Sequence, residues 1–270
     1  LLSSDTPSAI VKSMGIAHIS FADVYEGLSP DALLVLGDRF EILAAVSASL
    51  PFVIPIIHLH GGELTLGAFD DSIRHAITKM SHLHFTSTDS YRDRVIQMGE
   101  NPISVFNVGA IGCENIRKMK LLSKKELENK IDFLFPSSCL MVTYHPVTLD
   151  ADKAEDQIKN LLDALEKLGK IGIIFTKANA DTSGRIINQL IDQFVIKDLD
   201  NRKAYFSMGQ LNYFSSLQYV DAVVGNSSSG ILEVPSFNIP TINIGDRQKG
   251  RIQATSVINC KPSKNEIYHS

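Results

Sequence analysis

Asp221–Phe237 reads DAVVGNSSSGILEVPSF. An apolar strand, Asp221 to Gly225, enters a Gly-Asn-Ser-Ser-Ser-Gly turn and continues into a helix, which is half of a βαβ unit. Small residues in such a turn let successive backbone N–H groups approach a phosphate, and the helix N-terminus adds its dipole. Ser227, Ser228 and Gly230 are therefore candidate binding residues. Glu233, one turn further on, is placed to accept from ribose hydroxyls. A plain serine-capped helix has the same pattern. No Gly-Lys-Ser/Thr and no GxGxxG is present, so neither a Walker A loop nor a dinucleotide fingerprint is indicated.

Outward from this segment, short β-rich runs alternate with helical patterns, which predicts parallel sheets and an α/β fold. In the second half, strands are expected at 140–144, 172–176, 203–206 and 221–225, with IPTINI (239–244) closing the sheet. Helices are expected at 152–168 and 183–194. In the first half, ALLVL (32–36) reads as a buried strand, followed by a helix over 42–50 and a strand over 52–59. A helix at 70–80, a strand at 83–86, a helix at 90–99 and a strand at 104–107 complete it. Between them, 115–130 is charged and poorly apolar. The reading is two Rossmann-like domains with parallel sheets facing a central cleft, one over 1–118 and one over 119–270.

The bulk properties fit a folded chain: 270 residues, 44% hydrophobic and 21% charged. A net charge of −4 with no basic block argues against nucleic acid. Cys113, Cys139 and Cys260 are scattered, without a CxxC, which suits a reducing cytoplasm. No apolar run of membrane-spanning length and no signal peptide are visible.

Ligands of open α/β sheets lie at the carboxyl ends of strands, and the polar residues cluster there. Asp38-Arg39 follows the first strand: a carboxylate for acid–base work beside a cation for a leaving diphosphate, or a helix cap with a surface arginine. His58 and His60 share a strand face, a spacing that suggests metal, but His82 and His84 repeat it and no HExxH or CxxC supports zinc. Structural or substrate-contacting histidines are preferred. Glu63 follows a glycine pair that permits a tight turn. Asp70 and Arg74 share a helix face, the spacing of an ion pair. His145, ahead of Pro146 at a strand tip, is a phosphate or acid–base candidate.

Taken together, LVLGDRFE, HLHGGELTLGAFDDSIRHAITKMSHLHF, FNVGAIGCENI, VTYHPVT and VDAVVGNSSSGILEVPSFNIPTINIGDRQKGR resemble the UDP-N-acetylglucosamine 2-epimerase family, and within it the hydrolysing branch of sialic-acid and legionaminic-acid pathways. The resemblance runs from about residue 34 to residue 251 and implies a glycosyltransferase-B-like architecture. It implies that Asp38, Glu63 and Asp70 form the acidic catalytic set, joined by His145. It also implies that Arg39, Arg74 and His145 meet the diphosphate or sugar, and that Asn179, Ser227, Ser228, Glu233 and Arg247 grip the nucleotide. Many members carry glutamate where His60 stands, which leaves the parts of His60 and Glu63 open; His60 is placed among the substrate contacts.

The implied reaction eliminates UDP from a UDP-N-acetylhexosamine to a 2-acetamidoglucal. Water then adds to release N-acetylmannosamine or a 2,4-diacetamido-trideoxy analogue. The scheme requires no metal and no cofactor. The implied partners are the sugar nucleotide and UDP, without nucleic acid or membrane, and the implied assembly is a homodimer or homotetramer. The non-hydrolysing 2-epimerase, a glycosyltransferase of the same architecture and a non-catalytic nucleotide-sugar-binding fragment are the alternatives. Family chains begin with a strand and a Gly-Thr-Arg turn and end with returning helices. Neither is seen here, so the chain is expected to be a fragment lacking its first strand.

Overall fold

The computed structural model describes residues 6–66, 69–147, 153–178 and 184–270. The chain divides into two units, 1–111 and 112–270. The division falls upstream of 118/119 because the next helix packs into the second unit: Cys113 Sγ donates to Leu232 O at 3.3 Å, and Ile116 joins a core of that unit.

Unit one runs α1 (Pro7–Leu28), β1 (Leu33–Leu36), α2 (Phe40–Ser49), β2 (Ile56–Leu59), α3 (Asp70–Met80), β3 (Leu83–Thr86), α4 (Asp89–Gln97) and β4 (Val105–Asn107). Its four strands are parallel and lie in chain order. Val35, Val46, Ile56 and Ile77 form the core. The helix α1 escapes the sequence reading because it buries only Ala9, Ile10, Ser13 and Tyr25. Its start is nonetheless signalled: Thr6 caps the Ala9 N–H and Pro7 occupies the first turn, where a missing N–H is harmless. In β1 only Val35 is buried; Leu34 and Leu36 are 62% and 52% exposed, which corrects the expectation of a buried strand. The strand expected from residue 52 starts at Ile56, since Leu50–Phe52 form a 3₁₀ turn around Pro51.

Unit two runs α5 (Ile111–Lys118), α6 (Lys124–Ile131), β5 (Cys139–Thr143), α7 (Ala154–Glu166), β6 (Gly172–Thr176), α8 (Gly184–Val195), β7 (Arg202–Tyr205), α9 (Gly209–Ser216), β8 (Ala222–Gly225), α10 (Ser229–Leu232), β9 (Thr241–Ile244), β10 (Val257–Cys260) and α11 (Lys264–His269). The sheet order is β10-β9-β8-β5-β6-β7, all parallel. Thus β9 does not close the sheet; the short VINC strand pairs outside it. Period-two alternation sends Val142 to one apolar layer, with Ile158, Leu161, Phe175 and Ile187. It sends Met141 to the other, with Leu127, Ile174, Phe214 and Val223. Each fully buried side chain of this size contributes about 1.5–3 kcal/mol. Among the described residues, no helix is long and apolar enough to cross a membrane.

The order places a topological switch point between β5 and β8: successive strands depart from β5 through β6 to β7, then from β8 through β9 to β10. Crossovers diverge there and leave a crevice at the carboxyl ends. His145 follows β5 and Asn226 to Ser229 follow β8, so both stand at the crevice.

Candidate functional site

In unit one, the ends of β1 and β2 and the first turns of α3 bring Asp38, His60, Glu63 and Arg74 together. Gly37, at φ +85°, turns the chain out of β1. Asp38 then meets Arg74, whose Nη2 donates to its Oδ2. The Arg74 side chain is only 2% exposed. Its Nη1 donates to Glu63 O at 2.9 Å, and Nη2 also donates to Thr65 Oγ1 at 3.0 Å. Arg74, expected at the diphosphate or the sugar, has its planar fork sunk among Asp38, Glu63 and Thr65, where it braces a carboxylate. Asp71 is a helix partner of Arg74, at 3.7 Å, and its Oδ1 accepts the Thr65 N–H at 2.6 Å. Asp70 sits half-buried in the first turn of α3, where a carboxylate complements the helix dipole.

Glu63 is buried. Its Oε1 accepts from Ser87 Oγ at 2.9 Å and lies 2.8 Å from His60 Nδ1. His58 is structural: Nε2 reaches Gly37 O at 2.9 Å and Nδ1 reaches Thr78 Oγ1 at 3.2 Å, and burial pushes its imidazole down to about 4. Arg39 lies along the surface, paired with Glu41 at 3.2 Å and set over the Phe40 ring.

In unit two, a cavity of about 390 Å³ opens at the switch point. Of the expected residues, His145, Ser227 and Glu233 line it. Asn226 holds His145: its Oδ1 accepts the His145 N–H at 2.7 Å and its Nδ2 donates to the His145 carbonyl at 2.8 Å. The Asn226 carbonyl in turn accepts from Arg247 Nη1 at 3.2 Å and Gln248 Nε2 at 2.8 Å. Ser228 stands at the N-cap of α10, outside the cavity lining. Gly230 lies outside the cavity lining and allows close packing. A Cβ there would lie 2.8 Å from Thr241 Cγ2, and its carbonyl accepts from Thr241 Oγ1 at 2.8 Å. Asn179 lies outside the described residues.

The sequence reading passed over Lys177, Phe206 and Tyr213, which also line the cavity. Lys177 Nζ sits 4.1 Å from the Phe206 ring centroid and 2.7 Å from Asp192 Oδ1. Tyr213 OH shares a 2.8 Å hydrogen bond with Ser229 Oγ, and burial raises its phenol, keeping it neutral. Lys177 follows β6 directly, so the strand-end rule that singled out His145 also reaches it. Phe206 and Tyr213 carry no comparable sequence signal. Among the described residues, no group of three or more His, Cys, Asp or Glu is arranged to hold a metal.

A family model described as UDP-N-acetylglucosamine 2-epimerase matches residues 1–270. The chain is 44% identical over 259 residues to the GDP/UDP-N,N'-diacetylbacillosamine 2-epimerase (hydrolyzing) of Campylobacter jejuni, covering 96% of this chain and 67% of that protein. It is also 44% identical to the polysialic acid biosynthesis protein P7 of Escherichia coli, covering 96% and 66%. It thus spans about two thirds of the length of these relatives. Among solved structures, the UDP-GlcNAc 2-epimerase of Neisseria meningitidis bound to UDP-GlcNAc superposes with a TM-score of 0.79 at 17% identity, covering all of this chain and 74% of that one. That likeness concerns the fold, two Rossmann-like parallel-sheet units. With the family model matching throughout and relatives 44% identical over 96% of its length, the chain belongs to the UDP-N-acetylglucosamine 2-epimerase family.

Proposed function

We propose that the protein is a hydrolysing 2-epimerase of a UDP-N-acetylhexosamine. The observation that carries this reading is the pairing of chemistries in one chain. Asp38, His60 and Glu63 follow the first sheet's strands, with Asp70 at the start of α3, and a cavity suited to a nucleoside diphosphate opens at the second sheet's switch point. Both 44% relatives support the choice: one is named hydrolyzing, the other a polysialic acid biosynthesis protein.

The C2 proton of the sugar is not acidic while C1 keeps its diphosphate. Breaking the C1–O bond gives C1 cationic character and acidifies C2–H. The pair from C2–H then forms the C1=C2 bond of a 2-acetamidoglucal as UDP departs. Water adds at C1 while a proton returns to C2 from the opposite face, releasing the inverted sugar. In this scheme His145, Ser227 and Lys177 take the diphosphate, Glu233 accepts from the ribose and Phe206, 80% exposed, offers a flat face to the base. Asn179, Ser228, Arg39 and Arg247 remain proposed contacts.

The sugar is either UDP-N-acetylglucosamine or its 2,4-diacetamido-trideoxy counterpart, the latter leading to legionaminic-type acids. A cytoplasmic homodimer or homotetramer is the proposed form. Incubating the full-length protein with each UDP-sugar and identifying products by NMR tests the reading. A free 2-acetamido manno-type sugar with UDP supports it. A UDP-linked epimer selects the non-hydrolysing alternative, and no UDP release from either sugar removes the proposal.

A further inference from the structure

We propose that His60, oriented by the buried carboxylate of Glu63, is the base that takes the C2 proton when UDP is eliminated. This rests on the function proposed above and assigns one role within it.

Of the groups gathered at the strand ends of unit one, two carboxylates are already committed. Asp38 is held by the buried guanidinium of Arg74. Glu63, with a side chain 3% exposed, takes both the Ser87 hydroxyl and the His60 ring on one oxygen, Oε1. Two donors converging on one oxygen call for an acceptor-only carboxylate. The tautomer with its hydrogen on Nδ1 meets this contact and leaves Nε2 as the lone pair. Among the described residues Nε2 has no hydrogen-bond partner, and it is not one of the buried orphan atoms. The 15% exposure of the His60 side chain leaves this edge open.

The backbone is shaped to make the pair. His60 has φ +63°, a left-handed conformation that a non-glycine residue rarely adopts. Such strain persists where the surroundings enforce it and gathers at functional sites. Gly62, at φ +77°, passes so close to α4 that a Cβ would lie 2.4 Å from Tyr91 O. The turn through Gly61 and Gly62 thereby returns Glu63 beneath the ring three residues behind it, and Arg94 fastens Gly62 O from α4. A carboxylate on Nδ1 of a histidine whose Nε2 is open is the arrangement that fixes a tautomer and stabilises an imidazolium.

The step balances. Nε2 accepts the proton, the C2–H pair becomes the C1=C2 bond, and the C1–O pair leaves on the diphosphate oxygen of UDP. The imidazolium stays paired with Glu63. The proton that later returns to C2 arrives from the opposite face, so a different acid delivers it, and loss of His60 separates the two half-reactions.

The test uses His60→Asn in the full-length protein. Asparagine tolerates the left-handed backbone, and its Nδ2 can still donate to Glu63, while the Nε2 atom is removed. Three quantities are measured: UDP release from the UDP-sugar, hydration of 2-acetamidoglucal supplied with UDP, and UDP affinity by calorimetry. UDP release is expected to fall by about 10²- to 10⁴-fold, with hydration and UDP affinity near wild type. Glu63→Gln is expected to show the same split with a smaller loss. Equal losses in both half-reactions, or undiminished UDP release, overturn the assignment. A wild-type protein that releases no UDP sinks the function first, and the assignment with it.

Discussion

The carboxamide of Asn226 grips His145 at both backbone polar groups, accepting its N–H at 2.7 Å and donating to its carbonyl at 2.8 Å. A side chain thereby continues, past Gly225, the pairing that β5 and β8 make with main chain. This grip fixes the main chain of His145 at the cavity.

Asn226→Asp keeps the shape but sets an oxygen against the His145 carbonyl. The site is fully buried, so the loss is expected to be about 1–3 kcal/mol, read from the urea midpoint. UDP affinity is expected to fall with it. A variant with unchanged affinity shows that His145 holds its place unaided.

Arg74→Met leaves the Asp38 carboxylate without its buried cation and strips Glu63 O and Thr65 of a donor. Removing one partner of a buried pair is expected to cost about 3–5 kcal/mol, read by chemical denaturation. Arg74→Lys is expected to recover little, because an ammonium cannot reproduce the planar fork.

Asp70→Asn is expected to cut turnover by orders of magnitude while UDP still binds, and Ser228→Ala to weaken UDP binding with less effect on turnover. Steady-state kinetics with a separate UDP titration distinguishes them. Full activity in Asp70→Asn removes that carboxylate from the chemistry.

Burial holds the His58 imidazole at about 4, against 6.5 ordinarily. The unfolded chain therefore binds a proton between these values that the native chain does not. Stability is complete above 6.5 and is lost as pH falls toward 4, by up to roughly 3 kcal/mol from this group. His75 and His84, also lowered by burial, act with the same sign. His58→Gln is expected to flatten the decline in urea midpoint between neutral and mildly acidic pH. An undiminished slope assigns the decline to other groups.

Gly225→Ala is expected to abolish soluble folding, since its Cβ would lie 1.8 Å from Thr143 O at φ +142°. Expression with circular dichroism checks this, and a native spectrum refutes it.

Where a segment carried its own periodicity, the sequence was readable. The helix Asp70–Met80 and the strands Leu83–Thr86 and Gly172–Thr176 have the expected ends. The helices α1, α9 and α11 and the strand β10 were not legible, because their apolar faces are sparse or very short. In the candidate site, strand-end position is enough to place Asp38, His60, Glu63 and His145 at the carboxyl ends of the sheets. It could not show that Arg74 turns inward or that Asn226 clasps a residue 81 positions away. Both depend on which side chain fills which gap, and that is settled only when distant segments meet.

The cavity of the second unit arises from the sequence order of neighbouring strands, with strand ends, the loops that follow them and α9 as its walls. Met141 and Val142 hold the two layers apart regardless of what Ser227 or Phe206 becomes. Recognition can thus be redrawn at the rim, by exchanging a few loop residues, while the scaffold keeps its tolerance for heat and denaturant.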